Sequence, residues 1–209
     1  MSPDPATLGV ILAGGRARRL GGGDKALRMV GGRTVLARLV ERVTPQVVRL
    51  VLNANDDPER FASAGLAVIP DSLPDYPGPL AGVLAALDWA AAFEPASPWI
   101  LTVPGDAPFV PHDLVIRLHA ERRRTGATLA CAASDGRSHP IIGLWPVSVR
   151  HDLRHALTVD DIRKVRAYTQ RYPTAAVDWP ALPVDPFFNV NELSDLAEAD
   201  RLATVHASL

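Results

Sequence analysis

The segment Leu12–Leu27, LAGGRARRLGGGDKAL, gathers five glycines, three arginines and a lysine into one loop. Glycines let backbone N–H groups turn toward phosphate oxygens, and neighbouring cations neutralise the charge those oxygens carry. Of the 22 basic residues only Lys25 and Lys164 are lysine. Where arginine is the usual cation, a compact ammonium inside a glycine-rich loop points to a crowded phosphate site. The loop is not of the Walker type, because Lys25 is followed by Ala26 where a magnesium-binding Ser or Thr would stand. It also lacks the G-x-G-x-x-G spacing of a dinucleotide-binding turn.

Such a loop needs a strand before it and a helix after it. Leu8–Leu12 is an apolar run stopping at glycine, the pattern of a buried strand, and Thr34 is placed to cap a helix over Val35–Val43. Further strands are predicted over Val47–Leu52, Leu66–Ile69, Trp99–Val103, Ala127–Ala133 and His139–Trp145, with a last one in FFNVN (Phe187–Asn191). Helices are expected near Pro58–Ala64, over Leu80–Phe93, Pro111–Arg124, Val147–Leu157 and Asp160–Arg171, and from Ser194 onward, with a Pro-rich connector before FFNVN. Helices alternating with apolar strands imply crossover connections and a mostly parallel sheet covered on both faces. The fold class is therefore α/β, a three-layer α/β/α Rossmann-like arrangement in a single domain of 209 residues.

Open parallel sheets bind ligands beyond the carboxyl ends of their strands. The predicted strand ends carry the Gly loop, Asn53, Asp71 and Asp106, so four ends converge on one polar edge. Asn and Asp are also common turn formers, but a repeated set at one edge makes a coherent site.

The rest of the composition excludes several function classes. A formal net charge of −1 gives no basic excess for nucleic acid. The single cysteine, Cys131, sits in an apolar run and reads as a small buried hydrophobe; it permits no internal disulfide and no multi-cysteine metal cage. The N-terminal apolar run is too short for a signal peptide or a membrane span, which predicts a cytoplasmic chain with no membrane partner.

The loop resembles the LAGG-x-S-x-R-M-G-x-D-K signature of the nucleotidyltransferase superfamily, and its GGGDKAL version is most similar to the molybdenum cofactor guanylyltransferases. Further matching segments follow in the family's order: NAN after the second strand, PDSLPDYPGPLAGVLAAL, TVPGDAPFV, SHPIIGLWP and FFNVNELSDL. Ala17 stands in place of the usual Ser, Leu20 in place of Met, and NVNELSDL in place of NVNTPEDL. None of these departures removes a charged group.

The resemblance implies transfer of GMP from GTP to the phosphate of molybdenum-molybdopterin, with magnesium as cofactor. By it, Leu12, Ala13 and Gly14 contact the nucleotide and Gly15 lies against its phosphates. Arg19 and Lys25 face the triphosphate, Asn53 and Asp71 are nucleotide-binding positions, Asp71 and the Gly78-Pro79-Leu80 turn shape the base pocket, and Asp106 is the magnesium ligand. His139, Pro140, Asn189 and Asn191 belong to the acceptor side. Residues 1–135 would then form the nucleotide-binding part and 136–209 the acceptor-binding part, with cofactor-insertion proteins and apo-molybdoenzymes as partners. Two alternatives stay open at this point: a cytidylyltransferase acting on the same pterin, and a non-catalytic module that delivers nucleotide or cofactor.

Overall fold

The computed structural model describes residues 4–14, 24–55, 57–73 and 78–205. Among these residues seven strands form one sheet: β1 (Thr7–Leu12), β4 (Arg49–Asn53), β5 (Ala67–Ile69), β6 (Trp99–Pro104), β7 (Leu129–Ser134), β8 (Arg137–Pro146) and β9 (Thr174–Trp179). Their spatial order is β5-β4-β1-β6-β8-β7-β9. All neighbouring pairs are parallel except those of β8, which runs antiparallel to both β6 and β7. A separate two-stranded ribbon pairs β2 (Met29–Val30) with β3 (Arg33–Thr34).

Among the described residues six α-helices cover the faces: α1 (Val35–Val43), α2 (Pro79–Phe93), α3 (Leu114–Thr125), α4 (Arg150–Thr158), α5 (Val165–Thr169) and α6 (Leu193–Val205). Alternation along β1 shows how two cores arise. Leu8 and Val10 join α2, α4 and Tyr168 of α5 on one face, while Ile11 joins α1, α3 and α6 on the other. The three-layer α/β expectation therefore holds, with a helix layer on each side of a mostly parallel sheet. Among the described residues no helix is long and apolar enough to cross a membrane.

Local chemistry explains the element boundaries. Thr34 Oγ1 accepts from Ala37 N at 3.0 Å and starts α1. The buried side of α1 carries two arginines besides its aliphatics. Arg38 Nε donates to Val30 O at 2.8 Å and Arg42 Nε to Val110 O at 2.6 Å. Burial holds the pKa of both guanidinium groups below the usual arginine value. Helix α2 begins with Gly78 at φ +124 and Pro79 in the first turn, then runs almost wholly apolar because it lies between the sheet and α4.

The β7–β8 hairpin turns through Asp135 (φ 48) and Gly136 (φ 68), an Asp-Gly pair suited to two successive left-handed residues. The β7–β8 register shifts between Cys131 and Ala132, and a Cβ on Gly143 would lie 2.5 Å from Ala130 O. Pairing of β8 with β6 ends at Gly143, opposite Thr102. The first residues of β8 therefore continue beside β7 alone, along the edge where β6 ends.

Three predicted elements need correction. FFNVN is not a strand; the segment is irregular and its Val190 N donates to Asp106 O at 2.8 Å. The last strand is instead β9, inside what reads as a Pro-rich connector. Its buried Ala175, Val177 and Trp179 alternate with outward Ala176 and Asp178, a pattern muted by small alanines. The helix expected over Asp160–Arg171 shrinks to α5, because Asp161 adopts φ 52 and stops a helix from forming there. The β2–β3 ribbon carries too few residues for a periodic signal.

Burial of one histidine makes stability depend on pH. His119 on α3 is fully buried, with Nε2 2.9 Å from Thr7 Oγ1, and Thr7 itself donates to Pro5 O at 2.9 Å. The imidazole pKa is pushed down to about 4, chiefly by burial, against a weaker opposing pull from Asp4. The unfolded chain takes up this proton near its ordinary value of 6.5 and the folded chain only near 4, so folding stability falls as pH drops through that window. The loss should reach ~3 kcal/mol. Urea midpoints between pH 7.5 and 4.5 should show this slope in the parent and a shallower one in His119→Gln.

Candidate active site

The parallel strands β5, β4, β1 and β6 are adjacent, so their carboxyl ends form one continuous edge. Backbone bonds lock these ends together: Ala13 N donates to Asn53 O at 2.8 Å and Gly105 N to Leu12 O at 2.9 Å. A Cβ on Gly105 would sit 3.1 Å from Leu12 O and 3.3 Å from Ala13 Cα, closer than nearly all real side chains come. Glycine at 105 thus lets the segment after β6 lie directly against β1. The result is a narrow cleft lined by Leu12, Ala13, Lys25, Ala26, Pro104, Gly105 and Asp106.

A cluster of opposite charges occupies this cleft. Lys25 opens a single 3-10 turn, Lys25–Leu27, and its Nζ lies 3.2 Å from Asp106 Oδ2 while donating to Asn191 Oδ1 at 2.6 Å. Asn191 is held in turn, since its backbone N donates to Asp195 Oδ2 at 2.9 Å and Glu192 N reaches the same oxygen at 3.0 Å. Burial raises the Asp106 pKa above the ordinary aspartate value, and the Lys25 ammonium works against that rise. An ammonium, a carboxylate and an amide oxygen brought from three distant parts of the chain can hold an anion and a divalent cation side by side.

A second polar cluster sits beyond β4 and β5. Asn53 Nδ2 donates to Asp71 Oδ1 at 2.9 Å and to Ile69 O at 3.2 Å. Asn55 closes the other side: its Nδ2 donates to Asp71 Oδ2 at 2.7 Å, and its Oδ1 accepts from Asp71 N at 2.9 Å. Both carboxylate oxygens of Asp71 are therefore fixed, and their remaining lone pairs can accept from N–H groups of a ligand. Gly82, in the second turn of α2, faces Asn53; a Cβ there would overlap Asn53 Oδ1 and press on Leu12 Cδ2. Gly78, at the start of α2, has Arg163 O 4.0 Å from where its Cβ would be.

Other predicted positions fall around this edge. Gly14 follows Ala13 and is exposed, while Gly15 and Arg19 lie outside the described residues. His139 and Pro140 are half-buried at the start of β8. The His139 Nε2 is 2.9 Å from Ser134 Oγ, and its ring lies 5.2 Å from that of Phe187. Burial lowers the His139 pKa and favours the neutral ring, an effect that Asp185 partly offsets. Asn189 is exposed; of the two asparagines in FFNVN, Asn191 is the one that meets Lys25. Sequence reasoning missed Asn55, Gly82 and Gly105 as parts of the site. The second asparagine of NAN was the available signal for the first of these.

Comparison with known proteins adds relatives to this geometry. The family model for the MobA-like NTP transferase domain matches residues 9–179. The chain is 57% identical over 203 residues to the molybdenum cofactor guanylyltransferase of Rhodopseudomonas palustris (strain BisB5), covering 97% of each protein. It is 40% identical over 206 residues to the protein of that name from Rhizobium meliloti (strain 1021), covering 95% of this chain and 94% of that one. Among solved structures, molybdopterin-guanine dinucleotide biosynthesis protein A from Archaeoglobus fulgidus shares the fold. Its TM-score is 0.75 at 23% identity, over 95% of this chain and 99% of that one.

The packing at Gly82 gives a direct test of the second cluster. Gly82→Ala should displace Asn53 from Asp71 and lower the unfolding free energy by about 1–3 kcal/mol. Denaturant unfolding checks it, with a cost well above that of Gly32→Ala after allowance for strain at φ +74, since nothing lies within 4 Å of a Cβ there.

Proposed function

Because the chain belongs to the MobA-like NTP transferase family, we propose that it transfers the GMP moiety of GTP to the phosphate of molybdenum-molybdopterin. The products are molybdopterin guanine dinucleotide and pyrophosphate. The observation that carries this reading is the meeting of Lys25 with Asp106 and Asn191 in the cleft beside β1. The relatives named molybdenum cofactor guanylyltransferase supply the substrates.

An oxygen of the acceptor phosphate attacks the α-phosphorus of GTP. A P–O bond forms there as the bond to the α,β-bridging oxygen breaks, and pyrophosphate leaves with that electron pair. Both reactants are anions, so neutralisation and in-line positioning dominate the problem, and no protein nucleophile is required. Leu12, Ala13, Gly14 and Gly15 bring backbone to the nucleotide, and Lys25 with Arg19 supplies positive charge to the triphosphate. His139, Pro140, Asn189 and Asn191 form the acceptor side, reached from the first residues of β8 and from the segment before α6. In this reading residues 1–135 serve the nucleotide and 136–209 the acceptor.

Asn53, Asp71 and Gly78 form the base end. A carboxylate with both oxygens fixed accepts well from adjacent N–H donors. Guanine offers such a pair at N1 and its 2-amino group, and cytosine does not.

The donor set also fits magnesium in a limited way. Among the described residues no three His, Cys, Asp or Glu side chains group as a metal cage. Asp106 offers a carboxylate and Asn191 an amide oxygen, which suits a cation whose remaining positions are filled by water and phosphate oxygens. Bound with the nucleotide, magnesium supplies Lewis-acid neutralisation of the phosphates.

Calorimetric titration with GTP, CTP and ATP, each with and without magnesium, should show selective, magnesium-dependent GTP binding. A preference for CTP would move the assignment to cytidylyl transfer. Asp106→Asn should lower GMP transfer by at least ~100-fold. Unchanged turnover in that variant would refute the role given to Asp106.

A further inference from the structure

Arg60 lies on the short 3-10 helix Pro58–Ala64 that follows the NAN turn, and nothing in the family comparison assigns it a role. Among the described residues its guanidinium meets a carboxylate and two backbone carbonyls. Nη1 lies 3.0 Å from Asp24 Oδ2, Nη2 donates to Asn55 O at 3.1 Å, and Nε donates to Asp57 O at 3.1 Å.

Two of these partners adjoin the separate clusters described above. Asp24 directly precedes Lys25, whose ammonium holds Asp106 and Asn191. Asn55 clamps Asp71 through two hydrogen bonds. The Asp24 side chain is only 10% exposed and Arg60 34%, in contrast with neighbouring-turn pairs such as Arg201–Glu198 at 58% and 44%. A shielded pair between distant segments fixes geometry in a way that a solvated i,i+3 pair does not.

We infer that Arg60 is a positioning residue that couples the two ends of the nucleotide cleft, tying Asp24 beside Lys25 to the Asn55–Asp71 clamp. The inference rests on the GTP reading given above. A guanidinium performs this task because its planar fork meets one carboxylate and two carbonyls at fixed angles. A lysine could keep the contact with Asp24 but could not also hold both carbonyls.

The test is calorimetric titration of the full-length protein with GTP and with inosine triphosphate, which lacks the 2-amino group, in the presence of magnesium. Arg60→Ala should weaken GTP binding about 10-fold and shrink the preference for GTP over inosine triphosphate, because the clamp on Asp71 loosens. Arg60→Lys should recover affinity to within about 3-fold of the parent while the preference stays reduced. The isosteric Asp24→Asn, expected to fold even where Arg60→Ala does not, should lower GTP affinity, and combining it with Arg60→Lys should cost less than the sum of the two. An Arg60→Ala protein that matches the parent, or that loses both nucleotides equally, overturns the coupling while leaving the GTP site standing. A parent protein that takes up neither nucleotide overturns both readings together.

Discussion

The Lys25 ammonium is the charge on which the cleft depends. It stands 3.2 Å from Asp106 Oδ2 and 2.6 Å from Asn191 Oδ1, so one side chain ties the loop after β1 to the end of β6 and to the segment before α6. A carboxylate as shielded as Asp106 would otherwise drift toward its protonated form. With the ammonium beside it, the negative charge is kept where a cation and phosphates can use it. Much of the surrounding architecture holds these partners in place. Gly105 lets its segment lie on β1, Val190 bonds to the Asp106 carbonyl, and Asp195 orients the backbone at Asn191.

Much of this could be read from the residues alone, for a definite reason. β1, β4, β5 and β6 are apolar runs that end abruptly in glycine, asparagine or aspartate, and in a parallel sheet those endings must share an edge. The spacing of Lys25 behind the glycines and of Asp106 behind β6 therefore carried the first cluster. Asn191 emerged only as part of a family pattern. FFNVN has the aromatic and β-branched composition of a strand, yet its hydrogen bonding goes to Asp106 and Asp195 rather than to a neighbouring strand.

What stayed illegible was the role of side chains whose partners are remote. An asparagine two residues beyond a strand end, or an arginine on a short helix, looks like any other solvent-facing polar residue. Asn55 and Arg60 become parts of the site only when Asp71 and Asp24 are folded against them. Similarly, β9 hid among prolines because alanine gives little contrast between its two faces. Its place beside β7 follows from tertiary pairing rather than local preference.

The antiparallel strand β8 has a consequence for how the chain is made. It is joined to β7 by a two-residue turn, and it lies between β6 and β7 in the sheet. Asn191 arrives later still, and α6 then ties back to the β2–β3 ribbon, where Gly31 N donates to Asp200 Oδ1 at 2.8 Å. A chain emerging from the ribosome thus carries Lys25 and Asp106 long before it carries the residue that completes their cluster. Segments far apart in the order of synthesis must meet for the cleft to be whole. A partly made or truncated chain can hold a nearly complete sheet and still present an unfinished binding edge.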